Sequence, residues 1–276
     1  DFLKLDLNGH SFTGTITSAD GSRVTYENGA YSVVGPFEVS TKAELDAAIA
    51  AAEPGDVIKL KNDLEYTGSR INIDKAITLD LNGKTITTNG AYGVIKADGD
   101  CSIKNGKIVY TGTNAAIKVW NADKIEGINI EVTNTSGATI GGIVIQEGST
   151  VRVDAIKNVT IKGAGLTNGI QTYNCGTAKE NVIGSMENVN IDAVGVAMNI
   201  YAPCGTATNC TFKGGNYGIE IWIKGNYNAS LDLVDCKVVG GECKVFAHDE
   251  FHPGDYIVNC GELKLTADAA TGLTKD

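Results

Sequence analysis

The sequence predicts an all-β fold in which short strands stack as successive coils. A strand phrase of alternating apolar and polar residues recurs along the chain, and its starts lie 24, 26, 27, 26, 23 and 24 residues apart. A fixed period of this length is typical of repeat proteins, in which each repeat buries its apolar face only against its neighbours. The copies of the phrase are residues 92–96, 116–120, 142–146, 169–173, 195–199, 218–222 and 242–246.

Composition agrees with such a fold and excludes several classes of partner. The chain has 276 residues, of which 34 are glycine, and 42% of the residues are apolar. No apolar run approaches the roughly 20 residues that a membrane span needs. A net charge of -10 argues against binding to nucleic acid or to anionic lipid, because both require clustered Lys and Arg.

Residues 1–36 are predicted to form an N-terminal β segment. The segment 5–9 has the same sequence as 79–83, Leu-Asp-Leu-Asn-Gly. This identity suggests that the segment is the end of a related module upstream. The alternative is an ordinary N-terminal hairpin packed on the following helix.

One helix is predicted, over residues 40–52. Thr41 and Glu44 have the spacing of a capping box at its start, and the Pro-Gly-Asp sequence at 54–56 ends it. The segments 57–60, 71–73 and 77–81 then alternate with period two, so they are predicted to be the strands of the first coils.

A second repeated column predicts a sharp bend in each coil. A short amide or acid side chain precedes an apolar residue at Asn158, Asn188, Asn209, Asp235 and Asn259. Asn tolerates left-handed backbone, and its amide can bond the Asn of the coil above and below. Each coil is therefore predicted to contain the phrase strand, a longer turn, a second strand, the Asn bend, a third strand and a short return.

With this pattern the chain resembles the pectate-lyase-like right-handed parallel β-helix proteins over roughly residues 37–265. The resemblance lies in the helix at 43–49, the turn 54–56, the strand 57–60, the coils and the Asn ladder. It implies a right-handed single-stranded parallel β-helix of about eight to nine coils over 37–276. The helix at 40–52 would cap the open end and protect the first strand edge.

The residues between the inward apolar positions of the phrase are predicted to form an exposed strip. Aromatic faces with neighbouring amides suit an extended sugar chain. Alternatively, the turns 175–181 and 223–230 fold over the strip and bury it. The candidate glycan-binding residues are Trp120, Gln146, Gln171, Tyr173, Asn199, Trp222, Lys244 and Phe246. The strip is predicted to contain two columns. The first holds Lys118, Val144, Gln171, Ala197, Glu220 and Lys244, and the second, two residues further on, holds Lys96, Trp120, Gln146, Tyr173, Asn199, Trp222 and Phe246.

The sequence gives little support for catalysis or for a metal. Polygalacturonase-like members carry Asn-Thr-Asp, Asp-Asp, His-Gly and Arg-x-Lys segments, and this sequence has none of them. Glu220 is the candidate catalytic acid, but hydrolysis by paired carboxylates needs a second acid at roughly 5 to 9.5 Å. No cofactor is expected, although calcium is possible. His248, Asp249 and His252 are weak candidates for zinc ligands.

The odd number of cysteines, seven, argues against a disulfide framework, and their spacing is not that of a metal site. Cys210, Cys236 and Cys260 are predicted to share one inward column as small apolar residues. Cys175 and Cys204 could form a bridge in an oxidising compartment.

These observations favour an extracellular or cell-surface bacterial module, a monomeric part of a larger multidomain chain. It would bind a polysaccharide or other glycan, or act as a rigid spacer. The alternative is a polysaccharide lyase or glycoside hydrolase that acts in the groove over the phrase strands.

Overall fold

The chain folds as a right-handed parallel β-solenoid of about eight turns, with 58% of the residues in strands. The computed structural model describes the following residues: 16–17, 21–27, 30–90, 94–146, 148, 150–173, 175, 180–223, 229–249, 257–260 and 263–266. Within these residues there is one helix, and no helix is long and apolar enough to cross a membrane. The predicted fold class is confirmed.

The described chain consists of short strands, with the single helix between β4 and β5. Those before the coils are β1 (Ile16–Thr17), β2 (Arg23–Glu27), β3 (Ala30–Val34), β4 (Phe37–Val39) and α1 (Lys42–Ala51). The first coils contain β5 (Val57–Leu60), β6 (Leu64–Glu65), β7 (Ile71–Ile73), β8 (Thr78–Asp80), β9 (Thr85–Thr88), β10 (Ile95–Tyr110) and β11 (Ala115–Val132). The later coils contain β12 (Gly141–Ile145), β13 (Arg152–Lys157), β14 (Thr160–Lys162), β15 (Asn168–Thr172), β16 (Ile183–Glu187), β17 (Asn190–Ala193), β18 (Val196–Ile200), β19 (Pro203–Thr208), β20 (Thr211–Gly214), β21 (Tyr217–Ile223), β22 (Ser230–Val234), β23 (Lys237–Gly240), β24 (Cys243–Asp249), β25 (Ile257–Cys260) and β26 (Leu263–Thr266).

Three parallel sheets run along the solenoid and enclose one core. The first sheet contains the phrase strands, namely β7, the starts of β10 and β11, β12, β15, β18, β21 and β24. The second sheet precedes the bend and contains β5, β8, β13, β16, β19 and β22 with the middle of β10 and β11. The third sheet follows the bend. Inward apolar residues of all three sheets form one buried cluster, because each coil covers its apolar face only with the next coil.

The bend between the second and third sheets is an asparagine ladder, as predicted. Asn158, Asn188 and Asn209 have φ values of 52°, 53° and 53°, the left-handed region that Asn tolerates. The Nδ2 of Asn188 donates to Oδ1 of Asn158 at 3.0 Å, and the Nδ2 of Asn209 donates to Oδ1 of Asn188 at 2.5 Å. Asn82 and Asn105 adopt the same backbone upstream, at 51° and 59°. The bend therefore has one geometry over most of the stack.

The end of the ladder differs from the prediction. Asp235 still has φ of 53°, but Asn259 pairs with Asp232 and Cys260 with Leu233. These positions lie before the bend, so Asn259 is not a ladder residue, and Cys260 is not in the column of Cys210 and Cys236. The reason is that β25 turns back into the antiparallel strand β26, which ends the parallel stack.

The capping helix begins and ends within one residue or two of its predicted bounds. Thr41 Oγ1 accepts from the backbone N–H of Glu44 at 3.2 Å, and the Glu44 carboxylate accepts from the N–H of Ser40 at 2.6 Å. At the other end, the Lys75 ammonium donates to the carbonyls of Ile49, Ala50 and Ala52 at 3.2, 2.9 and 2.8 Å. A cation at this end satisfies carbonyls that have no partner within the helix and complements the helix dipole.

The N-terminal strands contact the turn that follows the helix. Strands β1, β2 and β3 form an antiparallel sheet. The Arg23 guanidinium donates to the carboxylate of Asp56 at 2.9 Å and bonds Glu53. Asp56 is buried and also accepts from the backbone N–H of Glu53 at 2.8 Å. Charge-assisted bonds of this kind hold the hairpin against the first coil.

Candidate functional site

The outer face of the first sheet carries two parallel rows of residue positions, which we call row one and row two. The strand register places the members of each row in successive coils, about 4.8 Å apart. Row one contains Asn72, Lys96, Lys118, Val144, Gln171, Asn199, Glu220 and Phe246. Row two lies two residues further along each strand and contains Trp120, Gln146, Tyr173, Tyr201, Trp222 and His248.

This register corrects the two columns drawn from the sequence. Asn199 pairs with Gln171 and Glu220, and Phe246 pairs with Glu220. Ala197 instead belongs to the buried core, and Lys244 does not lie opposite Glu220. The starts of the phrases do not identify equivalent positions in the sheet, because the returns between coils differ in length. A residue at a given place in one phrase therefore does not always lie opposite the residue at the same place in the next phrase.

Row one is buried in its later coils, contrary to the prediction that these residues face solvent. Asn199 is 5% exposed and Glu220 is 6% exposed. The Nδ2 of Asn199 donates to the Glu220 carboxylate at 3.0 Å. The Asn199 Oδ1 is also buried, and no described group bonds it. A buried acceptor without a donor is costly, so this oxygen destabilises the assembled coils.

Tyr201 of row two completes this polar cluster. Burial raises the pKa of its hydroxyl, and the nearby charge of Glu220 raises it further. The side chains of Gln171 and Asn199 hydrogen-bond this hydroxyl and act in the opposite direction. Gln171, Asn199, Tyr201 and Glu220 therefore form one connected group, which we call the polar cluster.

Tyr201 is a site residue that the sequence pattern did not indicate. Tyr201 lies two residues after Asn199, so the correct register of that coil would have placed it in row two.

Tyr173 is the exposed aromatic side chain beside the polar cluster. It is 49% exposed and lies in row two between Gln146 and Tyr201. The strand register places Gln146 and Tyr201 on either side of Tyr173, because Ile145 pairs with Thr172 and Gln171 pairs with Asn199. An open aromatic ring flanked by amide and hydroxyl groups is an arrangement that stacks on the C–H face of a sugar and bonds its hydroxyls.

The N-terminal part of the face is more basic. The Lys96 ammonium lies over the Trp120 ring, 4.9 Å from its centre, and bonds Asp98 at 2.7 Å. Trp120 also packs against the core, so this ring is half-buried and one of its faces is occupied by a cation. Burial, followed by the charge of Arg70, lowers the pKa of Lys118.

Row one begins beside an open depression at the capping helix. The depression has a volume of about 400 Å³, and Asp46, Arg70, Asn72 and Lys75 contribute to its lining.

The described part of the chain includes only the backbone of several predicted residues. The side chains of Trp222, Lys244, Phe246, His248 and Asp249, as well as His252 as a whole, lie outside the described residues. The same is true of most of the turns 175–181 and 223–230 that were expected to cover the strip. Among the described residues there is no group of three His, Cys, Asp or Glu side chains that could hold a metal ion.

The fold and the two rows define the class of protein: a parallel β-solenoid whose first sheet has a polar and aromatic outer face. Comparison of the chain with protein-family models, with curated proteins and with solved structures found no match. Arguments about function therefore depend on the chemistry of the outer face alone.

Proposed function

We propose that this solenoid binds a glycan along the outer face of its first sheet. The observation that carries the proposal is the polar cluster beside Tyr173: an exposed ring, two amides, a phenol and a carboxylate within three successive coils. Ring stacking and hydroxyl bonding together are the usual means by which proteins bind carbohydrate.

As part of this proposal we place the chain in the pectate-lyase-like superfamily and at the cell surface or outside the cell. The support is the capping helix, the three sheets and the asparagine ladder, which are the features that carry the resemblance. The chain would then be one module of a larger surface protein.

The test is binding to a panel of neutral and acidic polysaccharides by affinity electrophoresis, followed by titration of any ligand found. Tyr173→Ala should weaken binding roughly threefold to tenfold, the amount expected for one aromatic contact. Gln171→Ala should weaken it as well. Val194→Ala is the matched control, since Val194 is 50% exposed but follows a third-sheet strand. Equal loss in the control, or no binding by the wild type, would overturn the proposal and leave the function of a rigid spacer.

A second candidate is a polysaccharide lyase or glycoside hydrolase with Glu220 as its acid or base. Its support is that a buried carboxylate lies next to the Tyr201 hydroxyl, and paired titratable groups can transfer protons. Against hydrolysis by two carboxylates, the described side chains of the two rows include no second acid within one coil of Glu220. Product that forms with the wild type and not with Glu220→Gln would establish the enzyme. Binding that Glu220→Gln retains, without product, would exclude it.

A further inference from the structure

Two cysteines are neighbours in successive coils immediately after the bend. Cys210 follows Asn209 and Cys236 follows Asp235, and both of those bend residues have φ of 53°. The N–H of Lys237 donates to the Cys210 carbonyl at 2.8 Å, and Thr211 pairs with Lys237. Cys210 and Cys236 therefore lie side by side in successive coils, each immediately before the paired strands β20 and β23.

The distance between these strands suits a disulfide. Neighbouring strands of a sheet lie about 4.8 Å apart, and the Cα atoms of a disulfide lie roughly 4.4 to 6.8 Å apart. The backbone N–H of Cys210 approaches the Cys236 Sγ at 3.4 Å, so the two cysteines are in contact. The Cys210 thiol donates to the Thr208 carbonyl at 3.3 Å, and the Cys236 thiol lies 3.2 and 3.3 Å from the carbonyls of Ala207 and Val234. Joining the sulfurs replaces these weak bonds and draws the two Cβ atoms to roughly 3.8 Å.

The two sulfurs have different environments. Cys210 is buried, whereas Cys236 is half-exposed. The neighbouring Cys210 thiol, in the first place, lowers the pKa of Cys236, and the backbone N–H of Cys210, which donates to the Cys236 sulfur at 3.4 Å, acts in the same direction. The pKa of the Cys210 thiol is raised, first by the neighbouring Cys236 and then by burial. The accessible sulfur is thus the one that is more readily deprotonated.

The other cysteines whose side chains the structure describes lack this combination. Cys175 and Cys204, the pair that could form a bridge in an oxidising compartment, are both buried, and burial raises the pKa of Cys204. The Cys175 thiol donates to the Gln146 carbonyl at 3.0 Å. Cys101 is also buried, which raises its pKa to about 12. A thiol that is inaccessible and protonated reacts slowly with disulfides.

We propose that Cys210 and Cys236 form a redox-active dithiol that closes to a disulfide between successive coils by exchange with a small disulfide such as oxidised glutathione. The Cys236 thiolate attacks one sulfur of the reagent, which forms a mixed disulfide and expels one glutathione thiolate. Cys210 then loses its proton to solvent and attacks Cys236 Sγ, which expels the second glutathione thiolate. Overall, two protein thiols are oxidised and one glutathione disulfide is reduced to two thiols.

The test is incubation of the whole chain with oxidised glutathione at neutral pH, followed by alkylation and peptide mapping by mass spectrometry. The wild type should give a linked pair of peptides containing Cys210 and Cys236, and dithiothreitol should reverse it. Cys210→Ser should stop at the mixed disulfide, with one glutathione on Cys236. Cys236→Ser should take up no glutathione at Cys210. Cys101→Ser is the control, and it should give the same linked peptides as the wild type.

A second measurement separates reactivity from folding. In the reduced wild type, iodoacetamide should alkylate Cys236 at least about tenfold faster than Cys101, because the thiolate and not the thiol reacts. A link between Cys175 and Cys204 in place of the proposed one would overturn the inference. So would the absence of both the link and the mixed disulfide, or equal alkylation of Cys236 and Cys101.

Discussion

Replacing Asn188 with alanine is expected to destabilise the solenoid by about 3 kcal/mol. Its amide donates to Asn158 at 3.0 Å and accepts from Asn209 at 2.5 Å, and each such bond contributes about 1 kcal/mol. The backbone at this position has φ of 53°, which alanine adopts at an additional cost of about 1 kcal/mol. The two lost hydrogen bonds and the backbone cost together give the expected loss of about 3 kcal/mol in the free energy of unfolding.

Two further variants separate the terms. Asn188→Gly removes both amide bonds but adopts the left-handed backbone without penalty, so it should cost about 2 kcal/mol from the lost bonds alone. Asn190→Ala is the matched control, because Asn190 is an exposed asparagine on the adjacent strand β17. A surface substitution of that kind should change stability by less than about 0.5 kcal/mol.

The assay is unfolding in urea followed by the fluorescence of the two tryptophans, Trp120 and Trp222. Repeat proteins can unfold in parts, so the variants are compared only where the slope of the transition is unchanged. A loss in Asn188→Ala no larger than that in Asn190→Ala would refute the view that the ladder stabilises the stack. Equal losses in Asn188→Ala and Asn188→Gly would refute the cost assigned to the left-handed backbone, but not the contribution of the two hydrogen bonds.

Two more stability predictions follow from the ion contacts. Lys75→Met should lower the free energy of unfolding in urea by about 1 to 2 kcal/mol, because three carbonyls at the end of α1 lose their donor. Lys61→Met is the control and should lower it by less than about 0.5 kcal/mol, since the Lys61–Glu38 ion pair is exposed. Equal losses in the two variants would contradict the stabilising role of Lys75. The hydrogen bond from Lys107 lowers the pKa of Glu131, so its contribution is present above the unfolded-state pKa and is lost as the pH falls through the folded-state pKa. Glu131→Gln should therefore destabilise by less than about 0.5 kcal/mol at neutral pH and by nothing in acid, and an effect that persists in acid would contradict this assignment.

The sequence predicted the interior of this fold well because the interior depends on local alternation. Inward positions such as Ile143 and Ile170 must be apolar in every coil, and the bend residues Asn158 and Asn188 must tolerate left-handed backbone. Both requirements are visible in single segments of sequence. The apolar positions and the bend residues repeat because each coil packs against the next one in the same way.

The outer face was harder to predict because it depends on register and on coverage. Which residue lies opposite Glu220 is decided by the length of the return before Val196, and counting from the phrase placed Ala197 there instead of Asn199. Whether an outward polar residue is exposed depends on what lies above it, and no period in the sequence reports that. The burial of Asn199 and Glu220 is therefore a property of the assembled coils.

That burial provides a test of whether the polar cluster is retained for function. Replacing a buried polar pair with apolar residues of similar size is often neutral or stabilising, whereas removing one partner is destabilising. Asn199→Leu alone should therefore lower stability by about 1 to 3 kcal/mol, because Glu220 loses a donor. The double variant, Asn199→Leu with Glu220→Leu, should recover the wild-type unfolding temperature or exceed it, while binding no glycan. Such a trade-off is expected of a site whose polar groups serve a ligand and not the fold. If the double variant is less stable than Asn199→Leu alone, the pair stabilises the coils, and loss of binding in these variants could no longer be assigned to the site.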